Sequence, residues 1–186
     1  MAEIRTIAVI GAGAEGRGIA FAAALGGYRT ILEDILPSSL RAAAAELREH
    51  LASATNLGTV SKPEALAAFK RLEYASTVEH AAREADLVIE AVPDELESKI
   101  EIFTLLDKIC RPQTILVSNT TALSVSEIAS VTYRAPKIAG MRFAESVFSS
   151  KNLQLIRAHF TDDETIAVCT EVGQRMGKQV TLIAEN

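Results

Sequence analysis

The chain has 186 residues, of which 48% are hydrophobic and 23% charged, with a formal net charge of −5. That length and apolar content suit one domain with one substantial core, spanning residues 1–186. The acidic balance excludes electrostatic capture of nucleic acid or of an anionic membrane, and the lack of Trp removes the usual stacking platform for single strands. The expected partner is a small molecule or another protein.

Met1 to Arg5 lead into an apolar strand without the basic start and cleavage site of a secretory signal, so a cytoplasmic location is expected. Short runs rich in Ile, Val and Leu recur at Thr6 to Ile10, Thr30 to Leu32, Leu87 to Ala91, Thr114 to Ser118, Lys137 to Met141, Leu153 to Ile156 and Val180 to Ile183. These read as buried strands. Helical stretches separate most of them: Ala14 to Leu25, Ser38 to Ala54, Pro63 to Lys70, Glu95 to Cys110, Ser124 to Val131 and Asp162 to Met176. Strands alternating with helices predict an α/β fold, a Rossmann-like doubly wound and mostly parallel sheet. The longest strongly apolar stretch, Ile19 to Leu25, stops at Gly26-Gly27 and is too short to span a bilayer. Cys110 and Cys169 lie far from other thiols and from His at metal-ligand spacing, and read as reduced core thiols.

The first strand runs into Gly11-Ala-Gly13-Ala-Glu-Gly16 and then into an Ala-rich helix. Strand, glycine loop and helix in this order form the dinucleotide fingerprint. Gly11 permits the tight turn, Gly13 lets backbone approach a pyrophosphate, and Gly16 lets the helix pack close to the strand. The second strand ends in Glu33-Asp34, at the spacing where a carboxylate reaches the adenosine ribose. Asp34 is the first choice for that role, with Glu33 its near neighbour. Two carboxylates there would repel a 2′-phosphate, so NAD is expected over NADP. Glu15, in the first turn of the helix, either repels the incoming pyrophosphate or points into solvent.

Extended to Ala20, the glycine loop resembles the NAD-binding domain of the 3-hydroxyacyl-CoA dehydrogenase family. Three further blocks carry the resemblance: Asp86 to Lys99, Ser118 to Ser124, and Lys137 to Phe143. It implies an oxidoreductase of fatty acid metabolism, a helical insertion at about 38–70, and a helical C-terminal domain in complete enzymes that this sequence lacks. With that domain absent, exposed apolar surface is expected to be covered by a homo-oligomer or by a partner helical domain. The resemblance also places Asp94 and Lys99 near the cofactor, although both also suit solvated charges at a helix start. It sets Asn119 and Thr121 against nicotinamide and substrate, where a capping or turn role is the alternative.

The family's proton-transfer pair is a His and a Glu, and the aligned positions hold Arg142 and Gln154. Arginine keeps its proton near neutral pH and has no lone pair to offer, so it is not a general base. Glu145 is either a replacement base or, with Arg142, part of a drifted surface loop. His50, His80 and His159 read as surface or structural residues. Ala42 to Ala45 leave the inserted arm poor in Lys for holding the phosphates of an acyl-CoA. Two expectations follow: a weak or inactive relative of an NAD-dependent 3-hydroxyacyl-CoA dehydrogenase, or a non-catalytic NAD-binding or interaction module.

Overall fold

The computed structural model describes residues 3–143 and 146–185. In chain order the elements are β1 (Thr6–Ile10), α1 (Ala14–Leu25), β2 (Arg29–Glu33), α2 (Pro37–Asn56), α3 (Lys62–Arg71), β3 (Leu72–Ala75), α4 (Val78–Ala82), β4 (Leu87–Glu90), α5 (Leu96–Ile109), β5 (Ile115–Asn119), α6 (Val125–Ala129), β6 (Ile138–Phe143), β7 (Asn152–Arg157), α7 (Asp163–Arg175) and β8 (Gln179–Ala184). The strands form one eight-stranded sheet in the order β3-β2-β1-β4-β5-β6-β7-β8. Every neighbouring pair is parallel except β6 and β7, which run antiparallel. This is the doubly wound, Rossmann-like sheet expected from the strand and helix alternation.

Alternation along β1 shows why the sheet is covered on both faces. Ile7 and Val9 join a core with Ile19 of α1, Leu47 of α2 and Val172 of α7. Ala8 and Ile10 point the other way, into a second core with Phe103 and Leu106 of α5. A parallel strand buried on both faces has no polar side to write into its sequence, hence its unbroken apolar run. The insertion, α2 with α3, docks on α1 through a small cluster of Ala24, Leu51 and Ala68. Its second helix starts with a capping box, in which Ser61 and Glu64 satisfy each other's backbone N–H groups.

Three elements fall outside the sequence expectations, one of them a single 3-10 turn over Ala135–Lys137. β3 has four residues at the sheet edge, and its exposed Glu73 pairs with Arg29 of β2 through two 2.7 Å hydrogen bonds. α4 has five residues, too few to show a helical period. The helix expected over Ser124 to Val131 is shorter, ending at Ala129.

The order of strands reverses between β1 and β4: β1 is followed outward by β2 and β3 on one side, and β4 by β5 and β6 on the other. In open α/β sheets the crevice outside the carboxyl ends of the strands at such a point is where ligands bind. A cavity of about 620 Å³ opens there, reaching from Asp34 after β2 to Asn119 at the end of β5.

Candidate functional site

The glycine loop forms one wall of this cavity, and each glycine has a distinct reason to lack a side chain. Gly11 has φ +101°, and a Cβ on it would lie 2.7 Å from the Ala91 carbonyl oxygen. A Cβ on Gly16 would sit 1.8 Å from the Gly11 carbonyl oxygen, so α1 approaches β1 this closely only because residue 16 has none. A Cβ on Gly13 would meet nothing within 4 Å. It would project into open space at the start of α1, where no side chain caps the helix. The free N–H groups of that first turn, beside a cradle that a methyl would fill, suit a pyrophosphate.

At the end of β2, Asp34 is fixed by two backbone donors. Its Oδ2 accepts from Ala12 N at 3.0 Å and its Oδ1 from Leu36 N at 2.9 Å. That ties the carboxylate to the glycine loop and leaves lone pairs for ribose hydroxyls. Glu33 behaves differently from a solvated loop acid. It is 2% exposed, and its Oε1 lacks any partner among the described residues. Burial, and then the charge of Asp34, push its pKa up to about 7. A pKa near 7 leaves Glu33 partly neutral at neutral pH, so its share of the repulsion expected from two carboxylates toward a 2′-phosphate is weakened.

Beneath the cavity lies a buried ion pair. Lys99 of α5 is fully buried, and its Nζ donates to Glu90 Oε1 at 2.7 Å, Glu90 Oε2 at 3.0 Å and the Asn119 carbonyl oxygen at 2.8 Å. Ser118 Oγ and Val92 N also donate to Glu90, each at 2.8 Å. Burial raises the Glu90 pKa against the opposing pull of Lys99 and these hydrogen bonds. The alternative of Lys99 as a solvated charge is thus overturned: its ammonium locks the ends of β4 and β5 together from below. Glu90 itself escaped the sequence reading, although an acid closing the otherwise apolar Leu87–Glu90 strand was its available signal.

Asp94 is exposed and lines the cavity. Its Oδ2 accepts from the backbone N of Thr121 at 3.0 Å and from Thr121 Oγ1 at 2.7 Å. Partial burial acts to raise its pKa, but hydrogen bonds from Thr120 and Thr121 and the charge of Lys99 prevail and lower it. The Thr121 hydroxyl is thereby held on Asp94. Asn119, 7% exposed, donates its side-chain amide to the Glu15 carboxylate across the cavity. Glu15 is exposed, as one of its two expected orientations has it, and it also contacts the end of β5.

Arg142 and Gln154 face each other across the antiparallel β6–β7 pair. Arg142 donates through a terminal guanidinium nitrogen to Gln154 Oε1 at 3.4 Å and through Nε to the Thr120 carbonyl oxygen at 3.3 Å. Glu145 lies outside the described residues. None of the histidines lines the cavity. His50 stacks on Phe148 with ring centroids 3.8 Å apart, His80 is exposed, and His159 Nδ1 meets Ser126 Oγ at 2.7 Å. Cys110 and Cys169 are buried and unpaired, with thiol pKa values pushed up by burial to about 11 and about 12. Among the described residues no group of three or more His, Cys, Asp or Glu side chains is placed to hold a metal ion, and no helix is long and apolar enough to cross a membrane.

Comparison with known proteins matches residues 6–186 to the family described as 3-hydroxyacyl-CoA dehydrogenase, NAD binding domain. A Bacillus subtilis protein named "Probable 3-hydroxybutyryl-CoA dehydrogenase" is 38% identical over 95% of this chain. A 3-hydroxybutyryl-CoA dehydrogenase of Bradyrhizobium diazoefficiens is 33% identical over 97%. The chain spans 61% of the length of each. The crystal structure of 3-hydroxybutyryl-CoA dehydrogenase from Escherichia coli K12 superposes with a TM-score of 0.94 at 31% identity, over 98% of this chain and 39% of that one. The mostly parallel, Rossmann-like sheet agrees with these matches. This chain belongs to the 3-hydroxyacyl-CoA dehydrogenase family and corresponds to its NAD-binding domain.

Proposed function

We propose that this domain holds NAD in the β1–β4 crevice, in a dehydrogenase whose proton-transfer step has been weakened or lost. The cofactor-binding residues are Gly11, Gly13 and Gly16 at the pyrophosphate, Asp34 at the adenosine ribose, and Asn119 with Asp94 at the opposite end. Lys99 supports that end from beneath. Bound NAD would supply the hydride acceptor for a 3-hydroxyacyl-CoA, the substrate class suggested by the names of the relatives.

The observation that carries the catalytic half of the proposal is the Arg142–Gln154 cross-strand pair. Hydroxyl oxidation needs a group that takes up the alcohol proton. Arg142 has only donors, already directed at Gln154 and at the Thr120 carbonyl, and Gln154 carries no charge to support an imidazolium. Loss of general-base assistance lowers rates by roughly 10² to 10⁴. Thr121 offers no replacement, because its hydroxyl donates to Asp94.

The test is NADH oxidation with a short 3-oxoacyl-CoA, for the wild-type chain and for Arg142→His/Gln154→Glu. The expected result is slow or undetectable wild-type turnover and a gain in the double variant. Robust wild-type turnover overturns the loss of catalysis. The same pair favours a second reading, a non-catalytic NAD-binding module, which predicts unchanged silence in a double variant that still binds NAD.

A further inference from the structure

The contact between Glu15 and Asn119 joins the first turn of α1 to the end of β5, at the opposite end of the cavity from Asp34. Four charged residues line this cavity among those described, and all are acidic: Glu15, Glu33, Asp34 and Asp94. The nearest cations are spent elsewhere. Lys99 is paired with Glu90 beneath the floor and lies 3.7 Å from Asp94 rather than beside Glu15, Arg17 is paired with Glu46, and Arg142 lies outside the cavity lining on Gln154 and the Thr120 carbonyl. Asp94 is occupied by Thr121. The Glu15 carboxylate, exposed and held by one neutral amide, is the least compensated charge at that end.

We infer that Glu15 is a selectivity residue for the redox state of the cofactor, favouring NAD⁺ over NADH. The inference rests on the proposed cofactor site, with adenosine at Asp34 and nicotinamide at Asn119. The two redox forms share the adenosine and the pyrophosphate and differ at the nicotinamide ring, where the hydride carried by NADH removes the positive charge that NAD⁺ bears. Repulsion between Glu15 and the pyrophosphate therefore weakens both forms alike and cancels in the ratio of their affinities. Attraction between Glu15 and the ring acts on NAD⁺ alone. At the exposed rim of the cavity, a carboxylate beside a cationic ring acts through the intermediate effective dielectric of a protein surface, lower than that of water.

The experiment is equilibrium binding: calorimetry for NAD⁺ and ADP-ribose and ligand fluorescence for NADH, with wild type, Glu15→Gln and Glu15→Lys, each checked by thermal melting. The expected result is a fall in Kd(NADH)/Kd(NAD⁺) of about ten-fold in Glu15→Gln and a larger fall in Glu15→Lys. A ten-fold change corresponds to about 1.4 kcal/mol. Any tightening of ADP-ribose measures the pyrophosphate repulsion separately. A ratio unchanged within two-fold in folded variants that bind both cofactors overturns the role of Glu15 and leaves the cofactor site standing. Failure of all three ligands to bind wild type at millimolar concentration overturns both.

Discussion

Replacing Lys99 by Met tests whether the buried pair beneath the cavity organises the ends of β4 and β5. Methionine matches much of the lysine stem but removes an ammonium that donates to both Glu90 oxygens and to the Asn119 carbonyl. Glu90, itself fully buried, keeps only Ser118 Oγ and Val92 N as donors. Removing one partner of a buried pair costs roughly 3 to 5 kcal/mol, because the other charge is left uncompensated. In a chain of this size each kcal/mol displaces the melting temperature by about 2 to 4 °C, giving a fall of roughly 6 to 20 °C by calorimetry or circular dichroism at pH 7. The pH dependence supplies the decisive signature. Burial already raises the folded-state pKa of Glu90, and loss of Lys99 raises it further. A carboxyl group whose folded pKa lies above its unfolded value stabilises the fold while protonated and loses that contribution as pH rises through the folded pKa. The deficit of Lys99→Met should therefore shrink at more acidic pH and grow at more alkaline pH. A variant as stable as wild type at pH 7, or a deficit independent of pH, refutes the reasoning.

Glu33 gives a second pH-dependent test: its folded pKa of about 7 means that wild type must ionise a buried carboxyl as pH rises through 7. Glu33→Gln should match wild type near pH 5 and exceed it at pH 8 by on the order of 1 to 3 kcal/mol in denaturant melts, and equal stability at both pH values contradicts this. Gly13→Ala should keep the wild-type melting temperature and weaken NAD binding at least ten-fold, because its methyl projects into the cradle rather than into protein. Gly16→Ala should lower the melting temperature itself, since its methyl meets the Gly11 carbonyl. Cys110 and Cys169 should resist an aromatic disulfide reagent at pH 8 until the chain is unfolded, and rapid labelling of the native protein would contradict their burial.

The β1–loop–α1 unit was legible because its physics is local: an apolar run, glycines where backbones touch, and a helix start left open. The same holds for Asp34, fixed by backbone groups of adjoining segments. Lys99 was ambiguous in sequence because burial is a tertiary property, and its Glu90 partner is brought under α5 only by the sheet. Glu33 illustrates the same limit: the sequence set it beside Asp34 as a candidate ribose carboxylate, and its burial appears only in the folded sheet. Edge strand β3 escaped notice because it has only four residues and Glu73 interrupts its apolar run. The Glu15–Asn119 contact spans 104 positions and depends on how α1 and β5 converge, which neither segment encodes alone. Arg142 and Gln154, the positions that the family resemblance assigns to a proton-transfer pair, stand opposite one another in the β6–β7 register.

The central claim is that the crevice between β1 and β4 is an NAD site defined by the glycine cradle and Asp34. Calorimetric titration of one preparation with NAD and with NADP tests it most directly. Saturable NAD binding is expected, with NADP weaker by ten-fold or more and the gap narrowed in Asp34→Ala. NADP binding as tight as NAD, or no NAD binding at millimolar concentration, would contradict it.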